Sequence, residues 1–275
     1  MDWSEFERWV RREYAPRTAY SRVQYARRYA HLLFSGDLSE LLAMSADKRG
    51  HVLKALSCLS KFLGMYDTFI ELVKRHGLKW SVRNDDLLIK RFTKVTDPES
   101  LFVLIKDAKI RNPDLADFID FIALSGLRLS EAVESYNLII KLSSEGRLHE
   151  YYDSKREVLE HFKFKEIFIR RSKKAFITFM PSDAVMKISG NKPVNMYSIQ
   201  TRIKRSASKL KFGDIRELHA TLLTKYLRDV EIDFLHGRIS SSVFMRNYFN
   251  PAWIADLKER VFKAIAEIKE KISIS

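Results

Sequence analysis

Ser125-Gly-Leu-Arg-Leu-Ser-Glu131 separates two helical segments of this chain. An apolar pattern with helical periodicity runs from Asp114 to about Leu124, the serine–glycine pair interrupts it, and a new helix is predicted to begin near Leu129. Arg128 therefore lies near a helix start inside an otherwise apolar run, where an arginine is costly to bury without a negatively charged partner. The pattern predicts that Arg128 binds an anion.

The chain before this stretch has helical periodicity from Ser4 to about His76. The periodicity weakens after Gly77 and returns at Pro98, which is placed as the first residue of a new helix. In the first part of the chain, one helix is predicted to begin after Pro16. Three further helices are predicted over roughly 37–43, 46–63 and 65–76. The predicted domains are 1–80 and 96–275, with a linker over 81–95.

The chain after residue 160 departs from the helical pattern once. Lys163–Arg170 and Ala175–Met180 are rich in β-branched and aromatic residues, and the polar segment between them predicts a hairpin turn. Helices are expected to resume at Tyr197, at Ile215 and at Asn250. The fold class is therefore predicted as mainly α with a small β-hairpin or sheet. The apolar stripe of the last helix is expected to pack on its own domain, with a contact to a neighbouring subunit as the alternative.

The composition indicates a nucleic-acid partner. The net charge is +14 and the pI is about 9.7, so the chain attracts polyanions. A membrane-surface protein is disfavoured, because we find neither a basic amphipathic helix without acidic residues nor a lipidation signal. The N-terminus lacks the apolar core of a signal peptide, and no apolar run is long enough to span a membrane. Cys58 is the single cysteine, which excludes an intrachain disulfide and fits the cytoplasm.

Basic residues cluster on two predicted helical segments. Tyrosines alternate with the arginines of the N-terminal segment, and as a group they suggest contacts to backbone phosphates. For any single residue, a solvated helix face is the safer interpretation. The predicted DNA-binding residues are Arg17, Arg22, Arg27, Arg28, Arg202, Lys204 and Arg205.

Five further residues form the candidate catalytic set. Arginine binds phosphate through its planar fork and keeps its charge, lysine can supply a proton, and tyrosine can attack phosphorus. A phosphodiester needs these three functions, because its oxygens are negative and its leaving alkoxide is a strong base. The candidates are Arg128, Lys173, Arg216, Arg238 and Tyr248, with Lys174 as the alternative lysine.

The order and spacing of these residues resemble the tyrosine recombinases, most closely the integrases of archaeal viruses and plasmids of the fusellovirus type. Ser125–Glu131 matches that family's Thr/Ser-Gly-Leu-Arg-x-x-Glu segment, and Ile215-Arg-Glu-Leu-His-Ala-Thr221 resembles its second arginine helix. The family's lysine lies in a hairpin turn, as Lys173 or Lys174 would. In the archaeal branch a Gly-Arg pair precedes the tyrosine by ten residues, which is the spacing of Arg238 and Tyr248.

The chain departs from the family pattern at two positions. Gly213 occupies the place of the histidine that usually stands three residues before the second arginine, and Lys211 or His219 could supply its role. The His or Trp usual nine residues before the tyrosine would fall at Ile239, so Arg238 is expected to serve instead. Glu131 is expected to orient Arg128. The other histidines, His236 among them, are expected to have packing or surface roles.

The resemblance implies a SAM-like helical core-binding domain and a tyrosine-recombinase catalytic domain that close around double-stranded DNA. Four protomers would assemble on two att-type sites, from a chain that could be monomeric in solution. Tyr248 would form a 3′-phosphotyrosyl bond with no metal and no cofactor. The rival functions are a type IB topoisomerase-like enzyme and a catalytically silent DNA-binding protein. A metal nuclease using Asp114, Asp117 and Asp120 is disfavoured, because carboxylates three apart on one helix face are more often solvated.

Overall fold

The structure is a computed structural model that describes residues 1–80, 89, 97–170, 173–239 and 243–274. The chain divides into two compact units, residues 1–95 and 96–275. Each unit has a hydrophobic core of its own. The predicted linker over 81–95 lies, apart from Ile89, outside the described residues. No helix of the described residues has the length and apolarity needed to cross a membrane.

The N-terminal unit is helical. Asp2 caps the first helix by accepting hydrogen bonds from the backbone of Ser4 and Glu5 at 2.8 and 3.2 Å. Pro16 opens the second helix and Gly36, in the left-handed conformation, ends it. The helices are α1 (Trp3–Glu13), α2 (Pro16–Ser35), α3 (Ala46–Phe62) and α4 (Tyr66–Arg75). The segment predicted as a helix over 37–43 is a 3₁₀ turn, Ser39–Ala43.

The C-terminal unit is built around one almost fully buried helix, α6. This helix packs against α5, α7, α9, α11 and α14, which explains why its sequence is apolar on nearly every side. The helices of the unit are α5 (Pro98–Arg111), α6 (Ala116–Ser125), α7 (Leu129–Ser144), α8 (Lys165–Phe168), α9 (Ser182–Ser189), α10 (Met196–Arg205), α11 (Phe212–Leu223), α12 (Asp229–Leu235), α13 (Val243–Asn247) and α14 (Leu257–Ile272). Short 3₁₀ turns lie at Pro113–Leu115, Leu148–Glu150, His161–Lys163 and Pro251–Trp253.

A small antiparallel sheet confirms the prediction of a mainly α fold with a little β structure. Its strands are β1 (Tyr152–Asp153), β2 (Val158–Leu159) and β3 (Thr178–Phe179), in the order β1-β2-β3. Tyr152 pairs with Leu159, and Leu159 pairs with Thr178.

The strand predicted over Lys163–Arg170 is wrong. The chain forms the 3₁₀ turn and α8 there, and among the described residues only Ile169 pairs with Lys174, as an isolated bridge. The reason is the spacing of Phe164, Ile167 and Phe168, which places all three against the core on one helical turn. The rings of Phe164 and Phe168 lie 5.3 and 6.1 Å from the ring of Tyr151.

The last helix begins later than predicted, at Leu257. Asn250 instead caps the preceding 3₁₀ turn by accepting a hydrogen bond from the backbone of Ala252 at 3.0 Å. The apolar stripe of α14 is buried against α5, α6 and α11 of its own unit. The ammonium of Lys109 donates to the carbonyl of Ile272 at 2.9 Å, where the negative end of the helix dipole lies.

Candidate active site

Arg128 is held by Glu131 at the start of α7. Its backbone N–H donates to Glu131 Oε2 at 3.2 Å, and its Nη1 donates to Oε1 at 2.8 Å. Glu131 is 1% exposed, whereas the Arg128 guanidinium is partly open to solvent. Arg170 Nη2 lies 3.4 Å from the same carboxylate, so two arginines share one acid. The guanidinium of Arg128 is therefore fixed on one side and free to bind an anion on the other.

Arg216, on α11, is held by two backbone carbonyls. Its Nη1 donates to the carbonyl of Gly126 at 2.6 Å and its Nη2 to the carbonyl of His236 at 2.7 Å. Burial, with the charges of Arg128 and Arg238, lowers the pKa of Arg216 to about 10, which leaves the side chain charged at neutral pH. A carbonyl is neutral, so these bonds fix the guanidinium without cancelling its charge.

Two histidines lie beneath Arg216. His219 Nδ1 is 3.1 Å from His236 Nε2, and His219 Nε2 is 3.2 Å from the Leu124 carbonyl. Both rings are buried, so neither reaches a phosphate in the solvent-facing part of the site. His219, one of the two residues predicted to take the role of the family's usual histidine, is therefore buried. The sequence prediction gave His236 no part in the site, although its position two residues before Arg238 was a usable signal.

The turn that carries Lys173 and Lys174, called the lysine turn below, lies beside Arg128. The Arg170 backbone donates to the Lys173 carbonyl at 3.0 Å, and Arg128 Nη1 lies 3.5 Å from the Lys174 carbonyl. Lys173 is exposed and Lys174 is half-buried. Arg171 and Ser172, the first two residues of the predicted turn, lie outside the described residues.

Arg238 follows the C-terminal end of α12. Its backbone N–H donates to the Asp233 carbonyl at 2.8 Å, and its Nη1 lies 3.6 Å from Asp233 Oδ1. Its charge contributes to lowering the pKa values of Arg216 and His236, so it belongs to the same electrostatic environment.

Tyr248 lies just after α13 and is 73% exposed. Its backbone N–H donates to the Phe244 carbonyl at 2.9 Å. The next residue, Phe249, packs on the rings of Phe234 and Phe244 at 5.7 and 6.1 Å, which ties this segment to α12. Among the contacts of the described residues, none joins the Tyr248 hydroxyl to the arginines. The structure thus brings together Arg128, Arg216, Glu131 and the lysine turn, and leaves the tyrosine at the surface.

The remaining candidates of the C-terminal unit lie along α10 and the start of α11. Arg202 forms an ion pair with Asp114, while Lys204 and Arg205 are exposed. Lys211 is the N-cap residue of α11 and lines an open groove with Lys204 and Lys209. A side chain at Gly213, in the first turn of α11, would meet open space.

The N-terminal candidates lie on α2, which carries four arginines and no acidic residue. The sequence argument that the chain has no basic helix without acidic residues is therefore wrong for α2, although its apolar face is buried in the core of its own unit. Arg17 is exposed, and Arg28 is exposed with its guanidinium 5.5 Å from the ring of Tyr29. Arg27 forms an ion pair with Glu7 at 3.2 Å. Arg22 is half-buried and lies 5.9 Å from the ring of Tyr14.

The three aspartates of the metal-nuclease alternative do not converge. Asp114 pairs with Arg202, Asp117 pairs with Lys187 at 2.6 Å, and Asp120 pairs with the buried Lys109 at 2.6 Å. Each carboxylate therefore has its own cation in the fold.

A comparison with known proteins identifies the family. The family model described as archaeal phage integrase matches residues 99–267, which is more than half of the chain and includes the whole candidate site. No curated protein and no solved structure matches the chain. The match covers both helix-borne arginines, the lysine turn and Tyr248, so the resemblance drawn from the motifs is confirmed. The chain belongs to the archaeal phage integrase family.

Proposed function

We propose that this integrase is a tyrosine recombinase that cuts and rejoins DNA through a 3′-phosphotyrosyl intermediate. The observation that carries the proposal is the excess of fixed positive charge at Arg128 and Arg216. One guanidinium shares a buried carboxylate with a second arginine, and the other is held only by the neutral carbonyls described above. Such a pair suits the two nonbridging oxygens of a phosphodiester.

The reaction assigns one task to each side chain. The exposed Tyr248 hydroxyl gives its proton to water and its oxygen bonds to phosphorus, while the bond from phosphorus to the 5′-oxygen breaks. Arg128, Arg216 and Arg238 stabilise the charge on the nonbridging oxygens, and Lys173 or Lys174 gives a proton to the departing 5′-oxygen. A 5′-hydroxyl of the partner strand then gives its proton to the lysine and bonds to phosphorus. The bond from phosphorus to the Tyr248 oxygen breaks, and the tyrosine takes a proton from water. No metal ion or cofactor takes part in this scheme.

The proposal also places DNA on two basic surfaces. Arg17, Arg22, Arg27 and Arg28 of α2 would contact backbone phosphates, as would Arg202, Lys204 and Arg205 of α10. Four protomers on two sites would complete strand exchange, and the mass of the complex with and without paired duplexes tests this assembly.

A nicked duplex that loses its 5′-hydroxyl fragment tests the chemistry, because it traps any covalent protein–DNA adduct. We expect the unaltered protein to form the adduct in EDTA, and proteolysis to yield a phosphotyrosine peptide containing residue 248. Tyr248→Phe removes only the attacking oxygen, so it should bind DNA and form no adduct. Tyr197→Phe is the matched control, because Tyr197 is also exposed, at 77%, and lies in the same unit.

Two outcomes would contradict the proposal. An adduct in Tyr248→Phe would assign the attack to another tyrosine, and cleavage that needs magnesium and leaves no adduct would exclude the phosphotyrosyl route. Exchange between two labelled duplexes distinguishes a recombinase from a type IB topoisomerase-like enzyme, which reseals its own strand.

A second candidate is a DNA-binding protein that does not cut. Gly213 favours it, because this position carries no side chain where the resembled recombinases have a histidine. Tight binding of duplex DNA without any adduct in the unaltered protein would support this candidate.

A further inference from the structure

We propose that His219 and His236 form a buried, uncharged pair that positions Arg216 for the phosphate. This inference rests on the proposed function for its catalytic consequence, but the positioning itself concerns only the fold. The two histidines are positioning residues, because the buried rings reach Arg216 through the backbone segments that hold it.

The pair connects the two segments that supply the carbonyls to Arg216. One carbonyl belongs to Gly126, in the turn between α6 and α7, and the other belongs to His236 itself, at the end of α12. His219 lies one helical turn after Arg216 on α11. Its ring lies against Gly126 in the first segment and contacts the His236 ring in the second, and its Nε2 bonds the Leu124 carbonyl at the end of α6. A change in either ring therefore moves a group that bonds to Arg216.

The turn between α6 and α7 is closely fitted to the His219 ring. Gly126 has a φ of +59°, and a Cβ built at this position would overlap the ring of His219. The carbonyl that accepts from Arg216 Nη1 thus belongs to a residue in direct contact with the pair. Glycine is required here by both its backbone conformation and the approach of the ring.

The hydrogen-bond partners determine which ring nitrogens of the two histidines carry a hydrogen. The Leu124 carbonyl only accepts, so His219 Nε2 carries the hydrogen and His219 Nδ1 is left as an acceptor. His236 Nε2 must then donate to His219 Nδ1, which leaves His236 Nδ1 as a lone-pair nitrogen. That nitrogen is buried and has no hydrogen-bond partner among the described residues. Both of the observed hydrogen bonds can form while the two rings are neutral.

The surroundings oppose a proton on either ring. Burial, together with the charge of Arg216, lowers the pKa of His219 to about 4, although the hydrogen bond to the Leu124 carbonyl opposes the shift. Burial, His219 and the site's three arginines all lower the pKa of His236. Among the described residues, two carboxylates face this group of charges: Glu131, which is held by Arg128, and Asp233, whose Oδ1 lies 3.6 Å from Arg238 Nη1. The pair is therefore uncharged at neutral pH and keeps the positive charge of the site on the arginines.

Two variants of His236 separate its ring from its backbone carbonyl. His236→Leu removes the donor to His219, whereas His236→Gln keeps an N–H donor in a similar place. In single-turnover adduct formation at saturating DNA, we expect His236→Leu to be slower by about tenfold to a hundredfold, as for a misplaced catalytic group. DNA affinity should not change, and His236→Gln should recover most of the rate.

A double-mutant cycle tests whether the pair acts through Arg216. In an Arg216→Ala background, His236→Leu should cause no further loss, because the group that it positions is gone. His161→Leu is the matched control: His161 is a buried, neutral histidine of the same unit that bonds Tyr151 and Thr178, so its effect should be independent of Arg216. A full rate in His236→Leu, or losses that multiply in the double variant, would overturn the inference.

The positioning of Arg216 can be measured without DNA, independently of the proposed function. In protein labelled with ¹⁵N-arginine, the Arg216 guanidinium, assigned from its loss in Arg216→Ala, should rotate slowly because two carbonyls hold it. Slow rotation should persist in His236→Gln and be lost in folded His236→Leu. If the unaltered protein forms no adduct but this difference is seen, the proposed function fails and the positioning stands. Equal rotation in all three proteins rules out the positioning.

Discussion

Gly237 lies where the end of α12 meets the lysine turn. Its φ is +64°, and a Cβ built there would overlap the carbonyl oxygen of Lys174. That same carbonyl lies 3.5 Å from Arg128 Nη1. One glycine thus lets the loop that carries Arg238 approach the turn that carries the candidate lysines.

We predict that Gly237→Ala reduces adduct formation more than its effect on backbone conformation alone would explain. A non-glycine residue at positive φ costs roughly 1–3 kcal/mol, and the overlap with Lys174 must in addition displace the turn. Gly146→Ala is the matched control, because Gly146 has a φ of +69° and a side chain there would meet no neighbour within 4 Å. Denaturant unfolding and adduct rates should be measured for both. Equal losses in the two variants would show that the contact between Gly237 and Lys174 has no special role.

The sequence predicted the contacts of the site that join residues close together in the chain. Arg128 and Glu131 are three residues apart across a helix start, so their contact follows from the motif itself. The contact between His219 and His236 depends on how α11 and α12 pack, which no local pattern encodes. The position of Tyr248 relative to the arginines stays a prediction from spacing.

One buried carboxylate joins α12 to α14. Glu231 is fully buried and accepts a hydrogen bond from the backbone of Arg228 at 2.8 Å. Arg260 of α14 donates to both of its oxygens at 2.8 Å. These bonds, Arg260 foremost and Arg228 next, lower the pKa of Glu231 to about 2. The carboxylate thus fixes α12, which precedes Arg238, to the last helix.

We predict that Glu231→Gln lowers the free energy of unfolding by about 2 kcal/mol at pH 7, because Arg228 and Arg260 lose a buried, charged hydrogen-bond acceptor. Arg260 keeps its exposed partner Asp256 at 2.9 Å, so its charge is not left uncompensated. Glu267→Gln is the matched control, since Glu267 pairs with the exposed Lys225, and exposed ion pairs contribute about 1 kcal/mol or less. Urea unfolding at several pH values measures both.

The pH dependence of the Glu231→Gln effect has a definite sign. A lowered pKa means that Glu231 contributes stability above its ordinary value of 4.5 and loses it as the pH falls towards about 2. The difference between the unaltered protein and Glu231→Gln should therefore shrink over that range. A difference that stays constant with pH would show that the carboxylate charge is not the cause.

Elements were predicted best where a single periodicity governed them. α2 begins at Pro16 itself, one residue before the predicted start, and the apolar stripe of α14 is buried on its own unit as expected. The segment 163–170 failed because its aromatic residues suggested a strand while their spacing favoured a helical turn against Tyr151. Tertiary packing decided between two local preferences there.

The family match covers the C-terminal unit only. It begins at residue 99, so it gives no information about the N-terminal unit. That unit has its own core, with Phe6, Leu53, Leu56 and Phe69 all fully buried. Its proposed DNA contacts therefore rest on its arginines alone.

We predict that residues 97–275 fold without the N-terminal unit and still form the adduct at low salt, because their core is complete in itself. Duplex affinity should fall, and the dependence of log K on log salt should become shallower by about 0.9 for each phosphate that the shortened protein no longer neutralises. Fluorescence anisotropy over a salt series measures the slope, and thermal unfolding checks the fold.

Variants of α2 test which arginines bind those phosphates. Arg17→Ala combined with Arg28→Ala removes two exposed guanidiniums, and the slope should fall by roughly two if each binds one phosphate. Arg11→Ala is the matched control, because Arg11 is also exposed but is paired with Glu7 at 2.7 Å. Since affinity at one salt concentration mixes charge with every other interaction, the slope is the quantity that counts phosphates. An unchanged slope in the α2 double variant, or an equal change in Arg11→Ala, would mean that α2 is a solvated helix and that DNA binds elsewhere on this integrase.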